Sequence, residues 1–531
     1  MFRYQNRRRL RTYGAAAAGL WIMAGGHATE KSTGSPGCDH ENPQQCVTAA
    51  LEAMGGRERL EQVSSIRMQT VGHTLLVEQS YRQEPFISSY ERGRSTMDLA
   101  NQRLLTESKL TWPESDPNQV DSDTTLVVGP EGGVYHTNFG DSPCSLSDLE
   151  AAREALALGP ARILLTAVGA PDLHFEMPQV LRSTAHAVVA FSWRGIPVRV
   201  MINPYNHFPD AVETTRVFHD FWYFWGDVRQ RVYFDNWKLI EGISFPTNRV
   251  EERNGIVWRS TQALNVEFNV QLAGKFFDMN AGAAKQSAAS PGWNRPFSVK
   301  QATVLAPGID LYAGSWNATV VREPDGMVIL EAPISGLYTQ GVLKEARRRH
   351  PNLPVTAVVS TSDSWPRTGG VRQAVALGLS VYILDLNQPL LDRMMSAPHT
   401  IEPDALQTSK RLKLPHWKIV AQKQEIGRGA NRMELYPLRG ASTERQYMVY
   451  FPEHRLLYAS DTLALNDDGT LYAPELMYEV AQAVKRENLI VDNVFSMHQG
   501  LLPWEQAMAL IEKSRHAEDR PPEDASNGTT Q

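Results

Sequence analysis

The sequence predicts two domains of different class, an antiparallel β-rich domain over residues 47–281 followed by an α/β domain over residues 297–515. Three observations lead there. The chain has 531 residues, more than one ordinary hydrophobic core accommodates. Between residues 66 and 268 the pattern is mostly apolar–polar alternation between turn signals, as in "SIRMQTVGHTLLVEQSYR", "AVVAFSWRGIPVRVMINP" and "IVWRSTQALNVEFNV". After a small, polar stretch at residues 282–296, "GAAKQSAASPGWNRP", short apolar strands alternate with helical segments, the signature of covered sheets.

Taken in order, the elements begin with a leader. Residues 7–11, "RRRLR", precede an apolar run at residues 13–26 that is too short to span a bilayer comfortably. Small residues follow, with a cleavage point after Ala28. Residues 1–28 read as a secretory signal, which places the protein outside the cytoplasm, periplasmic or envelope-associated, with no integral membrane span once the signal is removed. An uncleaved anchor is the competing reading. Residues 29–46 read as a linker, within which Cys38 and Cys46 could close a short loop in an oxidising compartment, leaving Cys144 unpaired. A helix follows, with Val47, Leu51 and Met54 on one face and Gly55-Gly56 as its stop. The strand-rich region has one helical interruption, "SLSDLEAAREALAL", with Ser147 as the expected N-cap.

Beyond the linker at residues 282–296, "GIDLYAGSWNATVVREPDGMVILEAP" reads as short strands with an Asp325-Gly326 turn, and "GLYTQGVLKEARRRH" as a helix. "PVTAVVS" is a buried strand, "GGVRQAVALG" a helix, "LSVYILDL" a strand, and "QYMVYFPEHRLLYASD" a hairpin. Residues 516–531 form a polar, Pro-containing tail. Net charge is −6, and no long basic run follows the leader, so a nucleic-acid partner is not expected.

Several of these segments, in this order, resemble the metallo-β-lactamase superfamily. "LYAGSWNATVVREPDGMVILEAP" is similar to its opening hairpins. "VVSTSDSWPRTGGVRQAVALGLSVYI" is similar to its strand, metal loop, Gly-Gly helix start and next strand. "VYFPEHRLLYASD" is similar to the hairpin ending in its metal-bridging Asp, and "VFSMHQGLLPW" to its final His-Gly segment. The resemblance spans residues 302–511 and implies a four-layer αβ/βα sandwich with the site at one edge. It also implies a zinc hydrolase, whose H-x-H-x-D-H loop supplies imidazoles and a carboxylate that activate water. Counting back from Gly369-Gly370, that loop here holds Ser362, Ser364, Pro366 and Arg367, and the mid-chain His position aligns with Ser442. Only Asp461 and His498 stand at family ligand positions. If the fold is kept, Arg367 and Asp461 should face one cavity and pair in place of metal, with His498 nearby; solvated loop residues are the alternative. A serine nucleophile, Ser362 or Ser364 with His498 and Asp461, lacks a nucleophile elbow.

In the N-terminal half, "VYFDNWKLIEGISFPTNRVEERNGIVWRSTQALNVEFN" and "ALEAMGGRERLEQVSSIRM" resemble the curved antiparallel sheets of periplasmic lipoprotein-carrier-like domains. That resemblance implies a half-open barrel with an acyl-binding concave face. The run "FHDFWYFWGD" includes Phe221, Trp222 and Trp225, which cannot all point inward on one strand. Such a run must meet a second surface, either the interdomain seam or a ligand, partner or bilayer.

The combined expectation is an exported, non-catalytic binding protein for a hydrophobic small molecule, lipid or envelope partner, without a cofactor. The alternative is a metal-dependent hydrolase with an atypical or mononuclear zinc site on Asp461 and His498. A structural or assembly factor of the envelope is a third reading.

Overall fold

The computed structural model describes residue 38 and residues 42–77, 86–111, 122–137, 140–299, 301–410 and 413–518. The leader at 1–28 and most of the tail at 516–531 lie outside them. Pro43 at the first turn and Asn42, whose side chain accepts the Gln45 amide, start the helix Pro43–Ala53 inside the segment read as linker. Its buried face carries Cys46, Val47, Ala50 and Leu51, and a Cys38–Cys46 disulfide ties the preceding chain to it.

Thirteen antiparallel strands form one sheet. Each strand pairs with its sequence neighbour, except that the chain leaves the sheet between Gly140–Pro143 and His174–Leu181. The first strand, Ser65–Leu75, pairs with the last, Ile256–Phe268, so among the described residues the sheet's open edges are Gly140–Pro143 and His174–Leu181. The excursion is helical, Leu146–Leu158 then Ile163–Val168. Leu149, Ala152, Ile163 and Leu164 from these helices share a core with Ile66, Val200, Phe234, Phe245 and Phe268 from the sheet. The N-cap of the first helix is Ser145, whose hydroxyl accepts the Asp148 amide at 3.1 Å, rather than Ser147, whose hydroxyl donates to Asp220 at 3.2 Å. The cap falls at the residue whose backbone is extended immediately before the helix.

Residues 282–288, the start of the expected linker, belong to a helix, Ala281–Ala288. Asn280 caps it, and its alanine-rich sequence has high intrinsic helicity. Ser287 accepts the Gly133 amide at 2.8 Å, which docks the helix on the sheet.

The second domain holds a seven-stranded mixed sheet and a six-stranded mixed sheet. Leu311, Val321, Val328 and Val359 of one face Leu435, Val449, Phe451 and Tyr458 of the other. The helices Gly336–Arg349, Val371–Ala376 and Gln388–Ser396 cover the outer side of the first sheet, and Pro474–Arg486 with Trp504–Glu518 cover the second. The layers are therefore helix, sheet, sheet, helix. Among the described residues no helix is long and apolar enough to cross a membrane.

The aromatic run forms a single 3-10 turn, Phe221–Trp225, and meets the second domain. Trp222 and Phe224 lie against Trp365 at 4.8 and 5.6 Å between ring centroids, and Trp225 at 5.4 Å. Gly226 ends the turn at φ +65°, where an added Cβ would sit 2.5 Å from the Pro398 carbonyl oxygen. Asp227 then accepts the amides of Thr400 and Ile401 at 2.9–3.0 Å.

Candidate functional site

The loop after the strand Val355–Val359 is almost fully buried from Ser360 to Pro366. Its lone acid, Asp363, is an anchor: Arg445 Nη1 lies 3.0 Å from its carboxylate and also donates to the Leu386 carbonyl. Ser362 Oγ accepts the Ser364 amide at 3.2 Å, and Pro366 accepts the Ile334 amide through its carbonyl at 2.7 Å. Gly369 and Gly370 are required by close approach. An added Cβ would lie 2.3 Å from the Ile334 oxygen at the first and 1.9 Å from Thr339 Oγ1 at the second.

Between these fixed points Arg367 turns inward. Its Nη1 donates to Ser364 Oγ at 2.8 Å, and its Nε lies 2.7 Å from Asp461 Oδ1. His498 Nε2 lies 2.8 Å from the same oxygen. The Asp461 side chain is 4% exposed and that of Arg367 is 11% exposed, so water screens the pair poorly. Trp316, on the turn between the strands Ile309–Ala313 and Ala318–Glu323, covers the group. The Arg367 guanidinium lies 5.3 Å from its ring centroid, and His498 stands edge-on to it at 5.8 Å. The tryptophan is held by Tyr338, whose hydroxyl donates to the Trp316 carbonyl at 2.6 Å.

The structure thus gathers Ser364, Arg367, Asp461 and His498 into one cluster. Ser442 sits on a separately braced turn, with its amide on the Glu479 carboxylate at 3.0 Å and Thr443 Oγ1 on the same group at 2.6 Å. Of the two serines of the expected relay, Ser364 accepts a hydrogen bond from Arg367, and the His498 backbone amide is held by Ser496 Oγ at 3.0 Å. Phe221, Trp222 and Trp225 are placed at the seam described above.

Glu331 was not singled out from sequence. It ends the buried strand Gly326–Leu330, at φ +73° and 1% exposed. The Thr361 hydroxyl donates to it, as does the Tyr458 hydroxyl at 3.2 Å, and Thr361 is itself linked to Ser460 at 2.5 Å. Burial pushes its carboxyl up to about 8, and the Asp461 charge adds to that, while the bonds from Thr361 and Tyr458 oppose it. Because the folded state keeps this proton up to about pH 8 and the unfolded chain releases it near 4.5, stability falls as pH rises across that window. Glu331→Gln should flatten that part of the stability–pH curve; equal slopes for both proteins in urea titrations across the window would contradict the assignment.

Solved structures similar to this chain include the inverting sec-alkylsulfatase Pisa1 from Pseudomonas sp., 12% identical, covering 40% of each chain at a TM-score of 0.31. The DIM-1 metallo-β-lactamase is 16% identical and covers 42% of this chain and 99% of its own, at 0.32. A metallo-β-lactamase from Erythrobacter litoralis is 13% identical and covers 40% and 96%, at 0.32. This chain spans less than half the length of the sulfatase. No family model and no curated protein matches it.

Proposed function

We propose that this is a non-catalytic, exported binding protein whose second domain carries a buried ion pair at the place where a zinc hydrolase would bind metal. The carrying observation is the 2.7 Å contact between Arg367 and Asp461. The residues present do not fit the zinc pair that the sequence resemblance implies. Ser362 and Ser364 offer neutral hydroxyls, Pro366 offers no side-chain donor, and Arg367 stays cationic at every accessible pH. A dication at about 4 Å from that guanidinium would be repelled by roughly 8 kcal/mol at an effective dielectric near 20. No hydrolytic step is assigned to the site. The Cys38–Cys46 disulfide supports an oxidising, extracytoplasmic location.

The binding role rests on the first domain. Beneath its sheet lies a cavity of about 200 Å³. Ile66, Met68, Met97, Leu104, Phe245 and Ala263 line its apolar part, and the Glu91–Arg259 pair at 2.7 Å marks its polar end. A hydrophobic small molecule or lipid is the ligand this lining favours. Metal analysis and mass spectrometry of solvent extracts, both on the purified full chain, test the two halves separately. The expected results are zinc far below one ion per chain and a copurified lipid that is lost in Ala263→Phe, which fills the cavity. Stoichiometric zinc that disappears in Asp461→Ala and His498→Ala would instead establish the mononuclear hydrolase.

A further inference from the structure

The cavity beneath the sheet borders a second cleft. Leu99 and Arg162, the residue preceding the helix Ile163–Val168, line both. The second cleft has a volume of about 420 Å³. Its other charged lining residues are Arg153, on the helix Leu146–Leu158, and Arg194, at the turn joining the strands Thr184–Trp193 and Ile196–Ile202. No acidic residue lines it among the described residues.

On the neighbouring sheet, by contrast, Arg94, Arg199, Arg231 and Arg259 each sit 2.5–2.7 Å from a carboxylate. Around the cleft, Arg153 makes only a long bond to the Pro130 carbonyl at 3.4 Å, and Arg194 extends 5.8 Å from the Trp193 ring at a turn position of φ +52°. Burial, with the Arg194 charge adding to it, holds the Arg153 guanidinium below its usual range. Glu150, one turn earlier on the same helix, offsets part of this, but it is already in an ion pair with Arg216 at 3.0 Å. Thr166 also lines the cleft, its hydroxyl donating to the Ala157 carbonyl at 2.8 Å. Three guanidiniums around one cleft, in a chain of net charge −6, match a multiply charged anion.

We propose that this cleft seats the head group of the cavity's ligand, and that the ligand is a single-chain amphiphile with a phosphate-type anionic head. Arg153, Arg162 and Arg194 hold the head, while the chain passes Leu99 onto Met97, Leu104 and Phe245. Arg162, which lines both spaces, stands where head and chain meet. This rests on reading the cavity beneath the sheet as a hydrophobic-ligand site, and the test separates the two claims.

Binding to the full-length protein is measured by calorimetry with three probes: lysophosphatidic acid, the monoacylglycerol of equal chain length, and inorganic phosphate. The phosphate lipid should bind about ten- to a hundredfold tighter than the neutral one, the worth of one or two charge-assisted hydrogen bonds. Arg153→Gln combined with Arg194→Gln, neither of which lines the hydrophobic cavity, should erase that preference and leave monoacylglycerol affinity unchanged, which also shows that the variant is folded. In the unaltered protein, added salt should weaken the phosphate lipid and spare the neutral one. Equal affinity for the two lipids overturns the head-group seat and leaves the cavity reading standing. Binding of neither lipid overturns both. Inorganic phosphate binding as tightly as the phosphate lipid, with the same arginine dependence, makes the cleft a free-anion site and overturns the amphiphile.

Discussion

Arg367→Ala is expected to lower the free energy of unfolding by about 3–5 kcal/mol, the cost of leaving one partner of a buried ion pair uncompensated. The stranded group is Asp461, 4% exposed in its side chain, which would keep His498 as its close partner but lose the guanidinium at 2.7 Å. Ser364 loses its donor in the same step. The loss comes from stranding a charge, so it should not equal the net worth of the pair. Arg367→Met combined with Asp461→Asn removes both charges, keeps similar volume, and should recover most of the stability, to within about 1–2 kcal/mol of the starting protein. Urea denaturation of the two single variants and the double variant at neutral pH gives the cycle directly. A single-variant loss below about 1 kcal/mol would mean that the pair is solvent-screened, as surface ion pairs are.

That pair could be anticipated because its two members stand at fixed distances from recognisable landmarks, Gly369-Gly370 for Arg367 and the end of the 447–458 hairpin for Asp461. The glycines were legible for a physical reason, since any side chain there meets the Ile334 oxygen or Thr339. Trp316 was not legible as the cover of the cluster, because nothing local relates a turn at 314–317 to residues 367 and 498. Glu331 carried a signal that was passed over: an acid closing the apolar run "MVIL" is costly to bury unless it is hydrogen-bonded. In the first domain, alternation located the strands. The pairing of Ser65–Leu75 with Ile256–Phe268 is a contact between segments far apart in sequence, which periodicity cannot report. The helix Ala281–Ala288 was read as linker because small residues are common to both; Asn280 as its cap was the discriminating residue.

Trp365→Ala is expected to cost about 4–5 kcal/mol and to split thermal unfolding into two transitions. The residue is fully buried and holds the two domains together through rings on both sides of the seam. Phe224 stacks on it at 5.6 Å with an interplanar angle of 8°, and Trp222, Trp225 and Phe86 meet it edge-on at 4.8, 5.4 and 5.7 Å. Truncating a buried tryptophan forfeits its transfer energy and leaves a cavity, about 3–5 kcal/mol, and each aromatic pair adds about 0.5–1.5 kcal/mol beyond area. Trp365→Phe keeps a ring and removes an indole N–H that has no hydrogen-bond partner among the described residues, so its cost should be about 1–2 kcal/mol. Two transitions in the alanine variant follow from geometry. The Asp227 bonds to Thr400 and Ile401 and the Trp293 bond to the Ile334 carbonyl at 2.8 Å remain, but polar contacts at a newly wetted seam couple domains weakly. Calorimetry of the variant decides it, because a single transition with a calorimetric enthalpy equal to the van't Hoff enthalpy would show that the seam does not depend on this side chain. The position matters beyond stability. Trp365 sits between Ser364 and Pro366, so the loop that presents Arg367 to Asp461 is pinned by the first domain, and loosening the seam should also raise solvent exchange at the amides of Ser364, Arg367 and Thr368.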